Sequence, residues 1–217
     1  MFDTALTVND FIFLAKGAGM TIFVTVIAVF FGTILGIIFG LIRYQLGPIW
    51  AAPITFVLDI FRSIPLLIQL VLAYAFLGTV LRLGLSGLTV ACIVLTLYTA
   101  AYCSEIVRGG IEAVPLTLRR ASRSLGMTWG QDMRNVVMPL ATRVALPSWI
   151  GLALGVMKDS ALVYVVQVTE LLKSTQILIT RLQEPLLLLT ICGAFYFLIS
   201  FPVARFGGYL EKRWSND

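Results

Sequence analysis

The sequence predicts an all-α membrane protein that crosses the bilayer about five times. Of its 217 residues, 59% are hydrophobic and only 12% are charged, whereas soluble domains carry roughly 25% charged residues. The apolar residues form runs long enough for membrane-spanning helices. They lack the strict alternation of apolar and polar residues that barrel strands need. We expect a single transmembrane domain over residues 1–217.

Five apolar runs are drawn as spans, at about residues 16–42, 53–77, 88–107, 147–168 and 186–206. In the first span, Gly32, Gly36 and Gly40 recur at every fourth position. This spacing predicts that a second helix packs closely against that face. Pro65 predicts a kink in the second span.

Basic residues are unevenly distributed between the two sides of the membrane. The segment at about 108–146, here called the arginine-rich segment, holds six arginines, and Arg43, Lys212 and Arg213 fall on its side. The opposite side has only Lys16, Arg82, Lys173 and Arg181. The positive-inside rule therefore places this segment and the C-terminus in the cytoplasm and the N-terminus outside. The net charge of +5 is attributed to these loops rather than to nucleic-acid binding.

The arginine-rich segment predicts two short helices joined by a sharp corner. Pro115 suits the first turn of a helix, and Gly126 can end that helix in a left-handed cap. Thr128 and Gln131 form a capping-box pattern for the next helix, which is expected to be interrupted at Pro139.

The first of these two helices is amphipathic. Leu118, Ala121 and Leu125 share one face, with the arginines elsewhere. Arg119 and Arg123 are like charges four residues apart, which is unfavourable on an isolated helix, and an acidic partner protein or anionic headgroups would relieve the repulsion. The corner favours a helix that docks a soluble partner. The alternative is a basic helix lying at the membrane interface.

Two groups of polar residues lie within predicted spans, where charge is costly and indicates a use. Lys158, Asp159 and Ser160 lie near the middle of the fourth span. Adjacent residues do not face one another on a regular helix, so either each charge has another partner or the helix opens there. An opened helix at the midplane is typical of transporter sites for polar solutes. Interhelical salt bridges are the alternative.

The second span contains the other group. Asp59 and Arg62 are three residues apart and can pair on their own helix. Gln69 lies one turn beyond Pro65, where a kink would expose backbone carbonyls to a cavity. Glu105 is expected at a membrane interface, and its position alone indicates little.

Histidine is absent from the sequence, which removes the commonest general acid–base group and metal ligand. A phosphate-binding GxxxxGK[ST] loop is also absent. We therefore expect no enzymatic activity, metal or cofactor in this chain. Energy for uphill transport would come from another polypeptide or an ion gradient.

Several motifs occur in a characteristic order over nearly the whole chain, namely FRSIPLL at 61–67, AAYCSEIVRG at 100–109, ASRSLGM at 121–127, ALP at 145–147 and KDSAL at 158–162. In these motifs the sequence resembles the permease subunits of polar amino-acid ABC importers, the histidine/glutamine/glutamate permease family. The resemblance implies a type I ABC importer permease fold in a bacterial inner membrane.

The resemblance also implies roles for residues. The family's EAA loop docks on an ATPase subunit, and the stretch from Arg120 to Gly126, with Pro139 downstream, matches it here. The residues expected to couple to the ATPase are Arg119, Arg120, Ala121, Ser122, Arg123, Leu125 and Gly126. The KDTSL-like stretch matches 158–162, so Lys158, Asp159 and Ser160 are expected near the substrate path, with Arg62 and Gln69 behind them. The implied partners are a second permease chain, two ATPase subunits that hold ATP and Mg, and an extracytoplasmic solute-binding protein.

Five positions depart from the family pattern. Arg120 and Ser122 replace the usual Glu and second Ala of the loop, Met138 and Leu140 replace the Leu and Gln of LPQ, and Ser160 replaces the Thr of KDTSL. Such divergence predicts one member of an unequal pair, hence a heterodimer. The stretches at 61–66 and 160–164 look most like the glutamate/aspartate branch. An ion-coupled amino-acid carrier and a non-transporting membrane scaffold are the alternative functions.

Overall fold

The computed structural model describes residues 6–215, which form helices joined by short turns. In chain order the elements are α1 (Val8–Ser63), α2 (Leu66–Ala75), α3 (Gly87–Glu112), α4 (Leu116–Ser124), α5 (Trp129–Asp132), α6 (Met138–Asp159), α7 (Leu171–Leu182) and α8 (Pro185–Ser215). π-helical turns at Phe76–Val80 and Met133–Val137 follow α2 and α5, and a 3-10 helix at Ser160–Val166 follows α6. The predicted all-α class is confirmed.

Helix α1 begins earlier than predicted and consists of two limbs. A capping box formed by Thr7 and Asp10 starts the helix at Val8, eight residues before the expected start at Lys16. Gly47 then adopts φ 73° and ψ 174°, which is not helical. This conformation is readily accessible only to glycine, and it divides α1 into a first limb (8–46) and a second limb (48–63).

The glycine spacing in the first limb has the predicted role. A Cβ added to Gly32 would lie 2.5 Å from the Cβ of Thr99, and one added to Gly36 would lie 2.5 Å from the Cβ of Cys103. At Gly40 the corresponding distance to the Cβ of Val107 is 2.8 Å. These separations are shorter than van der Waals contact. The glycines therefore allow the backbone of α1 to pack directly against side chains of α3.

The second predicted span is broken at Pro65, where the sequence predicted a kink. The second limb of α1 ends at Ser63, Ile64 has extended backbone angles, and α2 begins at Leu66. Proline lacks an N–H and disfavours helical geometry in the residue before it. Residues 61–65, here called the break, therefore connect the two helices without a continuous hydrogen-bond ladder.

The fourth span differs from the prediction at both of its prolines. Pro139 was expected to interrupt a helix and Pro147 to begin the span, but the helical stretch runs continuously over Trp129–Val166. The amide of Met138 donates to the carbonyl of Met133, closing a wide π turn immediately before Pro139. Such a turn shifts the hydrogen-bond register locally, so the proline is accommodated without ending the helix.

The polar stretch at 169–184 contains helix α7, which is fastened to α1 and α8. Arg181 donates to Asp10 at 2.5 Å. The buried carboxylate of Glu170 accepts hydrogen bonds from the first amides of α7, at Leu172 and Lys173, and from the hydroxyl of Tyr196. These contacts satisfy donors that a helix start otherwise leaves unpaired.

Within residues 6–215, four helical stretches are long and apolar enough to cross a membrane: Val8–Ser63, Gly87–Glu112, Trp129–Val166 and Pro185–Arg213. The second of the five predicted spans is divided between the second limb of α1 and the shorter apolar helix Leu66–Gly78. The multi-span architecture is therefore confirmed, with the break at Pro65 in place of a fifth uninterrupted helix.

Candidate functional site

The polar residues of the fourth span lie where α6 changes into the 3-10 helix. Lys158 is exposed, Asp159 is half-buried and Ser160 is buried. The Ser160 hydroxyl donates to the carbonyl of Met157 at 2.7 Å, so it serves the helical transition. At Ser160 the backbone changes from α-helix to the tighter 3-10 helix and stays helical to Val166, so of the two predicted alternatives the structure has a partner for Asp159 rather than an opened helix.

Asp159 has its partner on another helix. The hydroxyl of Tyr98 on α3 interacts with the Asp159 carboxylate, and the rings of Tyr98 and Tyr102 lie 4.8 Å apart. Tyr102 in turn donates to the backbone carbonyl of Arg62 at 3.3 Å. Two tyrosines that sequence reasoning did not assign to the site therefore connect Asp159 with the break.

Gln69 is held against the break rather than standing free. Its Nε2 donates to the carbonyls of Phe61 and Ile64, both at 2.7 Å. These carbonyls belong to the backbone that Pro65 removes from the helical ladder. Among the described residues, the buried Oε1 of Gln69 has no hydrogen-bond partner, so this amide retains an unused acceptor.

The predicted corner in the arginine-rich segment is present. Helix α4 ends where Gly126 adopts φ 80°, and the amide of Met127 donates to the carbonyl of Ser122 at 3.2 Å. This is the hydrogen bond of a left-handed helix cap. Thr128 and Gln131 form the predicted capping box at the start of α5. The corner is therefore set by local sequence.

The inner face of α4 is polar and packs around Asp132, a residue of α5. This carboxylate is fully buried; Ser122 Oγ donates to it at 2.5 Å, and Arg119 Nε lies 3.4 Å from it. Arg119 also donates to the hydroxyl of Tyr44 on α1, and its guanidinium carbon lies 5.6 Å from the Tyr44 ring centroid. Burial works against the charge of Arg119, but these two partners raise its pKa above the ordinary value.

These contacts correct the expectation for Arg119. Its repulsion with Arg123 was expected to require an acidic partner protein or anionic headgroups, whereas Asp132 and Tyr44 supply partners within the same chain. Among the predicted docking residues, Arg119 and Ser122 therefore face inward. Arg120, Ala121 and Arg123 are exposed, as are Leu125 and Gly126.

Helix α4 leaves an apolar strip uncovered, formed by Leu118, Ala121 and Leu125 on one side of the helix. The exposed fraction is 80% for Leu125 and 45% for Leu118, and Ala121 is exposed beside them. A surface helix normally buries its leucines and exposes its charges. In helix α4, Arg119 and Ser122 occupy the inward side instead, so the apolar strip is left exposed together with Arg120 and Arg123.

An ion-pair network joins α1 to α3 near this corner. Glu105 Oε2 lies 3.0 Å from a guanidinium nitrogen of Arg43 and 3.0 Å from one of Arg62, and Oε1 accepts from Arg108. Arg62 also pairs with Asp59 at 2.8 Å, as predicted. The interpretation that Glu105 indicates little was therefore wrong, since this residue bridges both limbs of α1.

The buried member of this network is Arg43. Its side chain is 6% exposed, and it donates to Ser104 at 2.8 Å and to Thr55 at 3.0 Å. Ser104 is 61 residues away in sequence, so no local pattern could reveal the pairing. A cavity of about 610 Å³ adjoins the network and is lined by Gly47, Asp59 and neighbouring residues.

Together, the apolar helices, the corner with its exposed apolar strip and the break beside a polar patch define a multi-span membrane protein with polar residues at breaks in its helices. A family model described as "Binding-protein-dependent transport system inner membrane component" matches residues 32–216. The chain belongs to this family, whose members are transport permease components and not catalytic subunits.

Named relatives match over their full length. The chain is 29% identical to the "Probable amino-acid ABC transporter permease protein YckA" of Bacillus subtilis, over 100% of this chain and 95% of that protein. It is 29% identical to the "Glutamate/aspartate import permease protein GltK" of Escherichia coli O157:H7, over 98% of each. The "Nopaline transport system permease protein NocM" of Agrobacterium fabrum is 30% identical over 99% of this chain and 92% of its own length.

A solved structure described as "Crystal structure of an amino acid ABC transporter with histidines" matches with a TM-score of 0.87 and 27% identity, over 98% of this chain and 99% of that one. A chain of the MetNI methionine ABC transporter matches with a TM-score of 0.81 at 20% identity, over 96% and 99%, which supports the fold. The resemblance to polar amino-acid importer permeases and the type I importer permease fold are confirmed.

Proposed function

We propose that this chain forms one half of the translocation pathway of an ATP-driven, binding-protein-dependent importer of polar amino acids. A second permease chain supplies the other half, two ATPase subunits bind ATP and Mg, and a solute-binding protein delivers substrate from outside. The family assignment supports a transport role, and the amino-acid transporters among the relatives support the substrate class. The complex resides in the bacterial inner membrane.

The observation that carries this proposal is the exposed apolar strip of α4. Leu118 and Leu125 are exposed, while Arg119 and Ser122 hold the inner face of the helix. An exposed apolar strip of this kind is typical of a protein contact surface. With the arginine-rich segment in the cytoplasm, as the positive-inside rule predicts, the strip faces the compartment that contains an ATPase subunit.

Transport follows from coupling this strip to the spans. ATP-driven closure of the two ATPase subunits moves α4, and the spans rock between outward and inward openings. Lys158 and Asp159 immediately precede the change from α6 to the 3-10 helix, where both charges suit a zwitterionic solute. Ser160 shapes this transition, and Arg62 and Gln69 hold the break on the other side of the tyrosine pair.

Pairing with a different permease chain is part of the proposal. Arg120 and Arg123 flank the apolar strip, and the acidic residue usual at position 120 is replaced. This surface is therefore basic where a typical family member carries a carboxylate. If a second permease chain carries the usual acidic residue, one ATPase subunit would contact a basic surface and the other an acidic one. This difference favours a heterodimer.

The functional test is reconstitution in liposomes with the second permease, the ATPase and the loaded binding protein. We expect uptake of labelled amino acid that requires ATP hydrolysis and stops when the ATPase is omitted. A proton-motive gradient without ATP should give no uptake. Uptake that follows the gradient and is indifferent to ATP would identify an ion-coupled carrier, and absence of uptake under every condition would favour a scaffold.

Glutamate and aspartate are the proposed substrates. The stretches at 61–66 and 160–164 resemble that branch, and GltK is among the relatives. In the same liposomes, excess unlabelled aspartate should compete with labelled glutamate, whereas arginine should not. Because other relatives are named for arginine and nopaline, stronger competition by arginine would reject the acidic substrates while leaving the transport function intact.

A further inference from the structure

Side chains of α2 and α3 donate hydrogen bonds to three backbone carbonyls of the break. The carbonyls of Phe61 and Ile64 accept from Gln69 on α2, and the carbonyl of Arg62 accepts from Tyr102 on α3. A backbone that has lost its helical ladder is thus kept in one arrangement by side-chain donors. Anything that moves the break also moves Gln69 and the Tyr102–Tyr98 pair beside Asp159.

The side chain of Arg62 connects the break to Glu105 and, through it, to Arg43. Both guanidinium groups lie 3.0 Å from the same carboxylate oxygen. One anion therefore separates two cations that would otherwise repel each other, one from each limb of α1. Gly47 lies between the limbs with a backbone conformation that interrupts the helix, and the side-chain contacts that join the limbs here are those of Glu105 with both arginines and the hydrogen bond from Arg43 to Thr55.

Tyr44, the residue next to Arg43, receives the contact from α4. Its hydroxyl accepts from Arg119, whose other partner is the buried Asp132 at the corner. A continuous set of contacts therefore runs from α4 through Arg119, Tyr44 and Arg43 to Glu105, and on to Arg62 at the break.

We propose that Tyr44, Arg43 and Glu105 are positioning residues that transmit movement of α4 to the break and thereby to the substrate path. This inference rests on the proposed function. Helix α4 is fixed to Tyr44 on its inner side, so displacement of its outer strip by a partner displaces the end of the first limb. Glu105 passes that displacement to the second limb, whose end at Ser63 adjoins the break.

The experiment measures solute transported and ATP hydrolysed by the complete reconstituted importer. Glu105→Gln keeps the size of the side chain but removes the charge that holds the two arginines together. Tyr44→Phe keeps the ring and removes the hydroxyl. We expect each variant to retain ATP hydrolysis while the ratio of solute to ATP falls about five-fold. The double variant should fall no further than the more severe single variant, because both act on one route.

Two matched variants act as controls. Glu112→Gln removes a carboxylate that pairs with Arg108 on the same helix and does not contact α1 in the network, so it should leave the ratio unchanged. Glu105→Asp keeps the charge and should restore part of the coupling lost in Glu105→Gln. Binding of the ATPase should be the same in all variants, because the outer strip of α4 is unaltered.

The outcomes separate this inference from the proposed function. If the unaltered importer transports with ATP and Glu105→Gln keeps the same ratio of solute to ATP, the positioning role is wrong and the proposed function stands. A parallel fall in transport, hydrolysis and thermal stability, with additive effects in the double variant, would show that the network only stabilises the fold. If the unaltered complex fails to transport, the proposed function itself is rejected.

Discussion

Replacing Gly36 with leucine is expected to destabilise the packing of α1 against α3 strongly. Its Cβ would lie 2.5 Å from the Cβ of Cys103 and 3.1 Å from the carbonyl oxygen of Ala100, so at least one helix must move. Overpacking of this kind costs about 3 kcal/mol. For a protein of this size that corresponds to a fall of roughly 6–12 °C in the melting temperature, measured on the detergent-solubilised permease.

Gly19 provides the matched control on the same helix. Apart from the backbone of its own helical turn and its chain neighbours, no atom of the described residues lies within 4 Å of a Cβ built there, so Gly19→Leu should melt like the unaltered protein. Combining Gly36→Ala with Cys103→Gly should recover stability relative to Gly36→Ala alone, since it removes the nearest clashing atoms. Equal melting temperatures for Gly36→Leu and Gly19→Leu would show that the glycine face does not determine this interface.

Replacing Leu125 with serine is expected to weaken ATPase binding without affecting the permease fold. The side chain is 80% exposed, so it contributes little to folding. Burial of one leucine in an interface is worth about 1.5–3 kcal/mol, which corresponds to a roughly 10- to 150-fold weaker dissociation constant. Co-purification with the ATPase and a direct titration in detergent measure this loss.

Leu83→Ser is the control for that variant. Leu83 is 55% exposed in the connection to α3, on the side predicted to face outward. It should leave ATPase affinity unchanged. Unaltered affinity in Leu125→Ser would remove the main support for α4 as the docking element. Charge reversal at Arg119 is a poor test of docking, because that arginine is paired with buried Asp132 and its loss would disturb the corner.

Local sequence rules predicted those features that depend on neighbouring residues. Glycine spacing predicted close packing of a second helix, which is α3, Pro65 predicted a kink where the break lies, and Gly126 with the Thr128 capping box predicted the corner. Each of these features is set by backbone conformation or by side chains within a few residues. The substrate-path and docking residues remain predictions that the experiments above address.

The sequence did not predict the features that depend on contacts between residues far apart in the chain. Glu105 was undervalued because its partner Arg43 is on another helix, and Tyr98 was missed because its interaction with Asp159 also crosses between helices. The orientation of α4 was open for the same reason, since only the contacts of Arg119 with Tyr44 and Asp132 show which face turns inward. Pro139 was overvalued because the π turn that accommodates it has no simple sequence signature.

In the proposed importer, the apolar strip of α4 faces the cytoplasm and is covered by an ATPase subunit. The most direct test of this arrangement is labelling of Leu125→Cys with a membrane-impermeant maleimide, with the unaltered chain and its three cysteines as background. We expect labelling in inside-out vesicles, none in intact cells, and protection when the ATPase is bound. Labelling of intact cells, or labelling of inside-out vesicles that the ATPase does not reduce, would contradict it.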